Sequence, residues 1–331
     1  MPDWTHLPDL AARRVGGSVV AASDEFFAER ENLVKDEAPE YRPHTFTNKG
    51  QEYDGWETRR RRDGSTGPDW ALVRLGIAGV PAAVVVDTAH FAGNYPPEVS
   101  VEGACVAGHP SVEELLVANW HTVVPRSPVD GDTRTVFEVR HARRLTHLRL
   151  NMHPDGGIAR LRVHGTAVPD PRWLDDVPFD LAALRHGGRV VDCSDGFFSP
   201  PNNMLQPGLS RFMADGWETR RRRGAGNDWA TVALAAEAIP KVLELDTTHY
   251  KGNAPAEISL DGITADGERV PLLPRTTPQP DAPHRYRLTG DRPVHLVRLN
   301  IFPDGGIARL RLYGPLTAAG RQALHDRYSA T

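Results

Sequence analysis

At 331 residues the chain is long enough for two domains of ordinary size, and its 40% hydrophobic and 25% charged residues exclude a disordered chain. No run approaches the roughly 18 apolar residues of a membrane helix, and the formal net charge of −4 speaks against a nucleic-acid-binding surface. The opening MPDWTHLPDL lacks the basic and apolar regions of a secretion signal, and Cys105 and Cys193 show no metal-ligand spacing, so a reduced, cytoplasmic setting is expected.

In chain order the elements come twice. Residues 9–28 read DLAARRVGGSVVAASDEFFA and residues 180–199 read DLAALRHGGRVVDCSDGFFS, identical at 13 of 20 positions. DGWETRRRR stands at 54–62 and again, letter for letter, at 215–223. DTAHFAGNYPPE from Asp87 is answered by DTTHYKGNAPAE from Asp246, and NMHPDGGIARLRVHG from Asn151 by NIFPDGGIARLRLYG from Asn300. The offsets of 171, 161, 159 and 149 give the first copy two extra stretches of about ten residues, between Phe27 and Asp54 and between Glu98 and Val123. Two copies at this period are a duplicated domain rather than a solenoid.

Each copy reads as β. Short apolar runs at 82–86, 99–101, 135–139 and 145–152 recur between turn signals supplied by 30 glycines and 28 prolines. Leu148, Leu150 and Met152 alternate before Pro154-Asp155-Gly156-Gly157, with Ile158, Leu161 and Val163 beyond, which predicts strand, turn and strand. Helix is scarce: a short piece at 179–184 and a terminal amphipathic helix at 316–328. The expected fold is all-β, two tandem jelly-roll β-sandwiches with few short helices: residues 1–168, a linker at 169–178, and 179–331.

Three segments are candidates for chemistry. In DGWETRRRR, an extended chain puts Trp56, Thr58, Arg60 and Arg62 on one face and Glu57, Arg59 and Arg61 on the other. With Trp56 inward, the Glu57/Arg59/Arg61 face meets a cleft, where arginines hold a planar anion bidentately and the glutamate moves a proton. The bland alternative is a solvated, ion-paired strand. The DT-loops end a strand and run into Gly-Asn, bringing His90 and His249 as proton carriers and Asn94 and Asn253 as turn formers or ligand contacts. Asp87 with His90 suggests a divalent metal, although two ligands are too few for a site. Asp155 and Asp304 suit their PDGG turns for backbone reasons alone. No P-loop, GxSxG, HExxH or GxGxxG occurs, so no nucleotide or other cofactor is implied.

Taken together, DGWETRRRR, Asn227-Asp228-Trp229, DTTHYKGN, LLPR and RLNIFPDGGIARLRLYG resemble the allantoicase family, and the first copy matches through DGWETRRRR, Pro68-Asp69-Trp70, DTAHFAGNYPP, VVPRSP and its own PDGG segment. The resemblance spans about residues 9 to 315. It implies two jelly rolls of the galactose-binding-like kind, hydrolysis of allantoate to (S)-ureidoglycolate and urea in allantoin and purine nitrogen degradation, and a homo-oligomer. The family's first copy often carries an aromatic residue at the position of His90, which favours His249. For such a substrate, Glu57 or Glu218 with His249, and His90 beside it, are expected to transfer protons. Arg59, Arg61, Arg220 and Arg222 would hold the carboxylate, and Asn94 and Asn253 the ureido edges. The competing reading is a tandem carbohydrate-type binding module, against which the arginine runs weigh.

Overall fold

The structure, a computed structural model, describes residues 4–62, 67–140 and 142–331. The chain divides into two compact units, one running to Ala167 and one from Val168 to Ala330. The first residues of the opening stretch, Met1, Pro2 and Asp3, lie outside the described residues. Among the described residues no helix is long and apolar enough to cross a membrane.

In the first unit the spine is the strand Asp69–Asp87, 19 residues long. Its first part lies between Ser18–Ala22 and Leu145–His153, and that layer continues through Glu98–Ala104 to His121–Pro128. Its second part runs between Arg134–Glu138 and Arg160–Ala167. Register against Leu145–His153 jumps between Arg74 and Gly79, a stretch containing Gly76 and followed by Pro81, where bending a strand is cheap. Leu72, Val73, Val101, Leu148 and Leu150 from one layer and Val84, Val86, Leu161 and Val163 from the other are fully buried, which makes the core of a jelly-roll sandwich.

The second unit separates the same two layers completely. Arg189–Cys193, Asp228–Ala238, Val294–Phe302, Glu257–Ile263 and Arg269–Thr276 form one sheet, in that order. Pro283–Arg287, Val242–Asp246 and Arg309–Tyr313 form the other. The spine breaks at 239–241, where Pro240 has no N–H to give to a ladder, and the neighbouring Ile239 and Lys241 N–H groups donate to Pro315 and Tyr313 carbonyls.

Three local expectations are corrected. The PDGG turn is not a hairpin: Leu145–His153 and Arg160–Ala167 lie in different layers, each paired to the spine and not to each other, and the turn is the corner between sheets. Residues 179–184 form no α-helix; Asp180 bridges Tyr313, and a 3-10 turn follows at Leu184–His186. The terminal helix is Ala318–Ser329, capped by Thr317, and only Gly320 and Leu324 of it are buried. Residues 169–178 are ordered: Asp170 caps a 3-10 turn at Pro171–Trp173, and Asp175 and Asp176 pair with His325 and Arg321 of that helix. The two extra stretches of the first copy carry a hairpin of Phe46–Thr47 with Gly50–Gln51 and a short helix, Val112–Leu116, closed by the Ser111/Glu114 capping box.

Candidate active site

DGWETRRRR begins as a strand only two residues long, Trp56–Glu57, paired on one side with Gly157–Ile158 and bridged on the other to Ala28. Trp56 is fully buried and its indole N–H donates to the Asp24 carbonyl at 2.8 Å. Truncating such an anchor costs about 3–5 kcal/mol. Thr58 is buried too, its N–H on the Gly156 carbonyl at 3.0 Å. Alternation holds this far.

Beyond Thr58 the ladder stops and two carboxylates replace it. Asp24 accepts the Arg59 N–H at 2.7 Å, and Asp155, in the PDGG corner, accepts the Arg61 N–H at 2.7 Å. The side chains of these two arginines turn back onto the protein: Arg59 onto Asp24 at 2.9 Å, Arg61 onto Asp69 at 2.8 Å. Burial works against the Asp24 carboxyl, yet the Arg59 N–H and guanidinium hold it below the usual range. The second copy repeats every link: Asp195 with Arg220, Asp304 with the Arg222 N–H, and Asp228 with the Arg222 side chain. Arg59, Arg61, Arg220 and Arg222, expected to face a ligand, are therefore committed to protein carboxylates. Past Thr58 no backbone ladder enforces the strand period, and Arg59, although paired with Asp24, still lines the neighbouring cleft.

The guanidiniums left over are those of the other face. Arg60 and Arg62 line a cleft of about 700 Å³ together with Glu57, Arg59, Asn94, Tyr95 and Asp155, and of the three arginines only Arg59 forms an ion pair with a described residue. Glu57 is half-buried, and Asn94 Nδ2 donates to its Oε1 at 2.8 Å. Burial pushes the Glu57 carboxyl above the ordinary glutamate range, against the pull of the Asn94 hydrogen bond and the Arg60 charge. Asn253 holds Glu218 in the same way at 2.7 Å. Arg221 and Arg223 likewise have no ion pair among the described residues.

The DT-loop is fixed by its own side chains. Asp87 accepts the Ala89 N–H at 2.9 Å, and Asp246 the Thr248 N–H at 2.8 Å. His90 and His249 adopt left-handed backbone, φ 70° and 75°, with their N–H groups on Asp132 and Asp281. Their Nε2–H groups donate to main-chain carbonyls, of Pro39 at 3.3 Å and of Ser210 at 3.0 Å. His90 is not among the cleft-lining residues. Both imidazoles thus brace neighbouring loops. Asp87 pairs with Arg134 at 3.6 Å, and among the described residues no group of three His, Cys, Asp or Glu side chains could hold a metal.

The two glycines of the corner answer to sterics. Gly156 and Gly305 have φ 149° and 139°, and a Cβ on Gly157 or Gly306 would lie 2.2 Å from the Phe91 ring or 1.9 Å from the Tyr250 ring. The corner therefore presses directly on the DT-loop that carries Asn94 or Asn253.

Some partners escaped sequence reasoning. Arg160 is buried and donates to the carbonyls of Glu37, Asp54 and Ala159 and, at 2.6 Å, to the Asp54 carboxylate, tying the IAR segment to the first residue of DGWETRRRR. Arg309 binds Asp215 at 3.0 Å in the second copy. The Ser-Asp of SDEFF and SDGFF, which fixes Arg59 or Arg220, was equally overlooked. The signal was there, since both pairs recur inside the repeated segments.

A duplicated jelly roll with an asparagine-held glutamate in each copy, and in the first a cleft where two arginines have no ion pair among the described residues, has the form of an enzyme acting on a small molecule. The family profile described as Allantoicase repeat matches residues 8–168 and again 179–317. A probable allantoicase of Nocardia farcinica is 52% identical over 315 residues, 95% of each chain, and one of Streptomyces avermitilis is 53% identical, over 98% of this chain and 90% of its own. The crystal structure of allantoicase from Saccharomyces cerevisiae superposes with a TM-score of 0.80 at 34% identity, covering 93% of both chains. This chain belongs to the allantoicase family.

Proposed function

We propose that the chain hydrolyses allantoate to (S)-ureidoglycolate and urea, and that the Glu57 cleft is a place where it does so. The observation that carries the assignment is a half-buried, Asn-held glutamate sharing a cleft with Arg60 and Arg62, which form no ion pair among the described residues. Allantoate is a small anion whose central carbon bears a carboxylate and two ureido groups. Arg60 and Arg62 suit the carboxylate, in place of the ion-paired Arg59 and Arg61. The free Oδ1 of Asn94 and the cleft-facing Asp155 suit the ureido N–H groups. A neutral sugar would leave the two guanidiniums without a counter-charge.

In the reaction the bond from the central carbon to one ureido nitrogen breaks, the oxygen of water takes its place, and the departing nitrogen gains a proton. Asn94 occupies Oε1 of Glu57, so Oε2 is the atom that exchanges protons. Desolvation raises the protonated fraction of Glu57 at neutral pH, which favours delivery to the leaving nitrogen. The resulting carboxylate then takes a proton from the attacking water, and the residue returns to its starting state.

The test is direct. Purified protein incubated with allantoate should release urea and ureidoglycolate in equal amounts, and Glu57→Gln should lower kcat about 10²–10⁴-fold. Repeating the assay with a chelator decides whether a divalent metal takes part. An intact fold with no urea formed would overturn the assignment.

A further inference from the structure

The two copies share the glutamate, the asparagine, the arginine run and the Asp-Gly-Gly corner, so the residues that differ around them carry the information. In the first copy the residue after Asn94 is Tyr95, and it lines the cleft with Glu57, Arg60 and Arg62. Its counterpart after Asn253 is Ala254. The exchange is coupled to a second one. The Tyr95 ring lies against Gly131, where a Cβ would sit 2.5 Å from Cδ1, and the residue at the Gly131 position of the second copy is Pro280. An aromatic ring with a glycine to receive it in one copy stands against alanine and proline in the other.

The Tyr95 side chain is half-buried, and its hydroxyl has no hydrogen-bond partner among the described residues. A phenol inside a polar cleft normally finds a partner, so this O–H, in the cleft that Glu57 also lines, is a donor available to a ligand. We infer that Tyr95 is a catalytic residue of the first cleft, donating its O–H to the carbonyl oxygen of the departing ureido group, and that urea is therefore expelled mainly in the first copy. The inference rests on the allantoate reading above. Tyr95 keeps its proton throughout: the C–N bond breaks, the nitrogen is protonated by Glu57, and the tyrosine O–H stabilises the negative charge that gathers on the ureido oxygen. Ala254 leaves the second copy able to hold the anion through Arg221 and Arg223 but without that donor.

The experiment measures urea release by full-length Tyr95→Phe, Glu57→Gln and Glu218→Gln. Tyr95→Phe, which keeps the ring on Gly131, should lose about 10–100-fold in kcat with KM changed by less than about threefold. Glu57→Gln should lose at least about tenfold more kcat than Glu218→Gln. As a gain of function, Ala254→Tyr with Pro280→Gly in a Glu57→Gln background should recover part of the lost rate. Tyr95→Phe with unchanged kcat, or equal losses in the two glutamate variants, would overturn the inference while leaving the allantoate reading intact. A wild-type chain that makes no urea would bring down that reading instead.

Discussion

The first and second copies agree in the bonds that fix the arginine run and in its glutamate and asparagine, and diverge at a few positions around them. Asp24 and Asp195, and Asp155 and Asp304, make the same bonds at nearly the same lengths, and Arg160 and Arg309 each bind the aspartate that opens DGWETRRRR. Tyr95 gives way to Ala254, Phe91 to Tyr250, and the buried His147 to Leu296. Phe91 stacks on Tyr53, which the first copy's extra stretch supplies, whereas Tyr250 sends its hydroxyl to the Met213 carbonyl at 2.7 Å. Identity between copies therefore marks two different things. Two arginines of each RRRR run are held by protein carboxylates, which keeps the segment in place, while in the first copy Arg60 and Arg62 line the cleft with no ion pair among the described residues.

That division can be broken by substitution. The largest effect should come from Arg60→Ala combined with Arg62→Ala, which removes both charged donors; KM for allantoate should rise at least about 10²-fold, since each charged hydrogen bond is worth roughly 1.5–3 kcal/mol. Arg59→Ala, which removes a cleft-lining guanidinium already paired with Asp24 and placed over the Phe26 ring, should raise KM by no more than about threefold. Steady-state urea release distinguishes them, and equal effects would erase the distinction between holding and facing arginines.

Next comes the pair His147 and Leu296. Burial, aided by the charge of Arg74, depresses His147 from 6.5 to about 4. Its neutral form is the folded one, so its contribution is complete above pH 6.5 and is lost as pH falls towards 4, about 3 kcal/mol in all. Urea denaturation across that window should show His147→Leu, the residue of the second copy, flattening the acid limb. An unaltered pH slope would count against a neutral buried imidazole.

The smallest effect tests the corner. Gly157→Ala drives a methyl into the Phe91 ring and should cost about 1–3 kcal/mol in thermal unfolding. Gly306→Ala meets Tyr250 more closely still and should cost at least as much. Full tolerance in either copy would mean that the DT-loop is not wedged by the corner.

Much of the frame was legible beforehand. Repetition at offsets of 149 to 171 residues declared the duplication, and the apolar runs at 82–86 and 145–152 lie within the strands Asp69–Asp87 and Leu145–His153. The PDGG corner was misread because Asp-Gly marks a tight reversal whether or not the flanking strands go on to pair. The site was half legible. Glu57, Glu218, Asn94 and Asn253 come together as hydrogen-bonded pairs, while the histidines and the chosen arginines are spent elsewhere.

Sequence by itself determined the duplication, the β class and the family, because these rest on composition, spacing and repeated letters, which are local quantities. Which arginine of four meets a ligand depends on Asp24, Asp69 and Asp155, which lie 35, 8 and 94 residues away from their partners in the chain. Strand alternation carries no knowledge of such partners. Only folding brings those carboxylates to the run, and once they pair with Arg59 and Arg61, Arg60 and Arg62 are the arginines of the Glu57 cleft without an ion pair among the described residues.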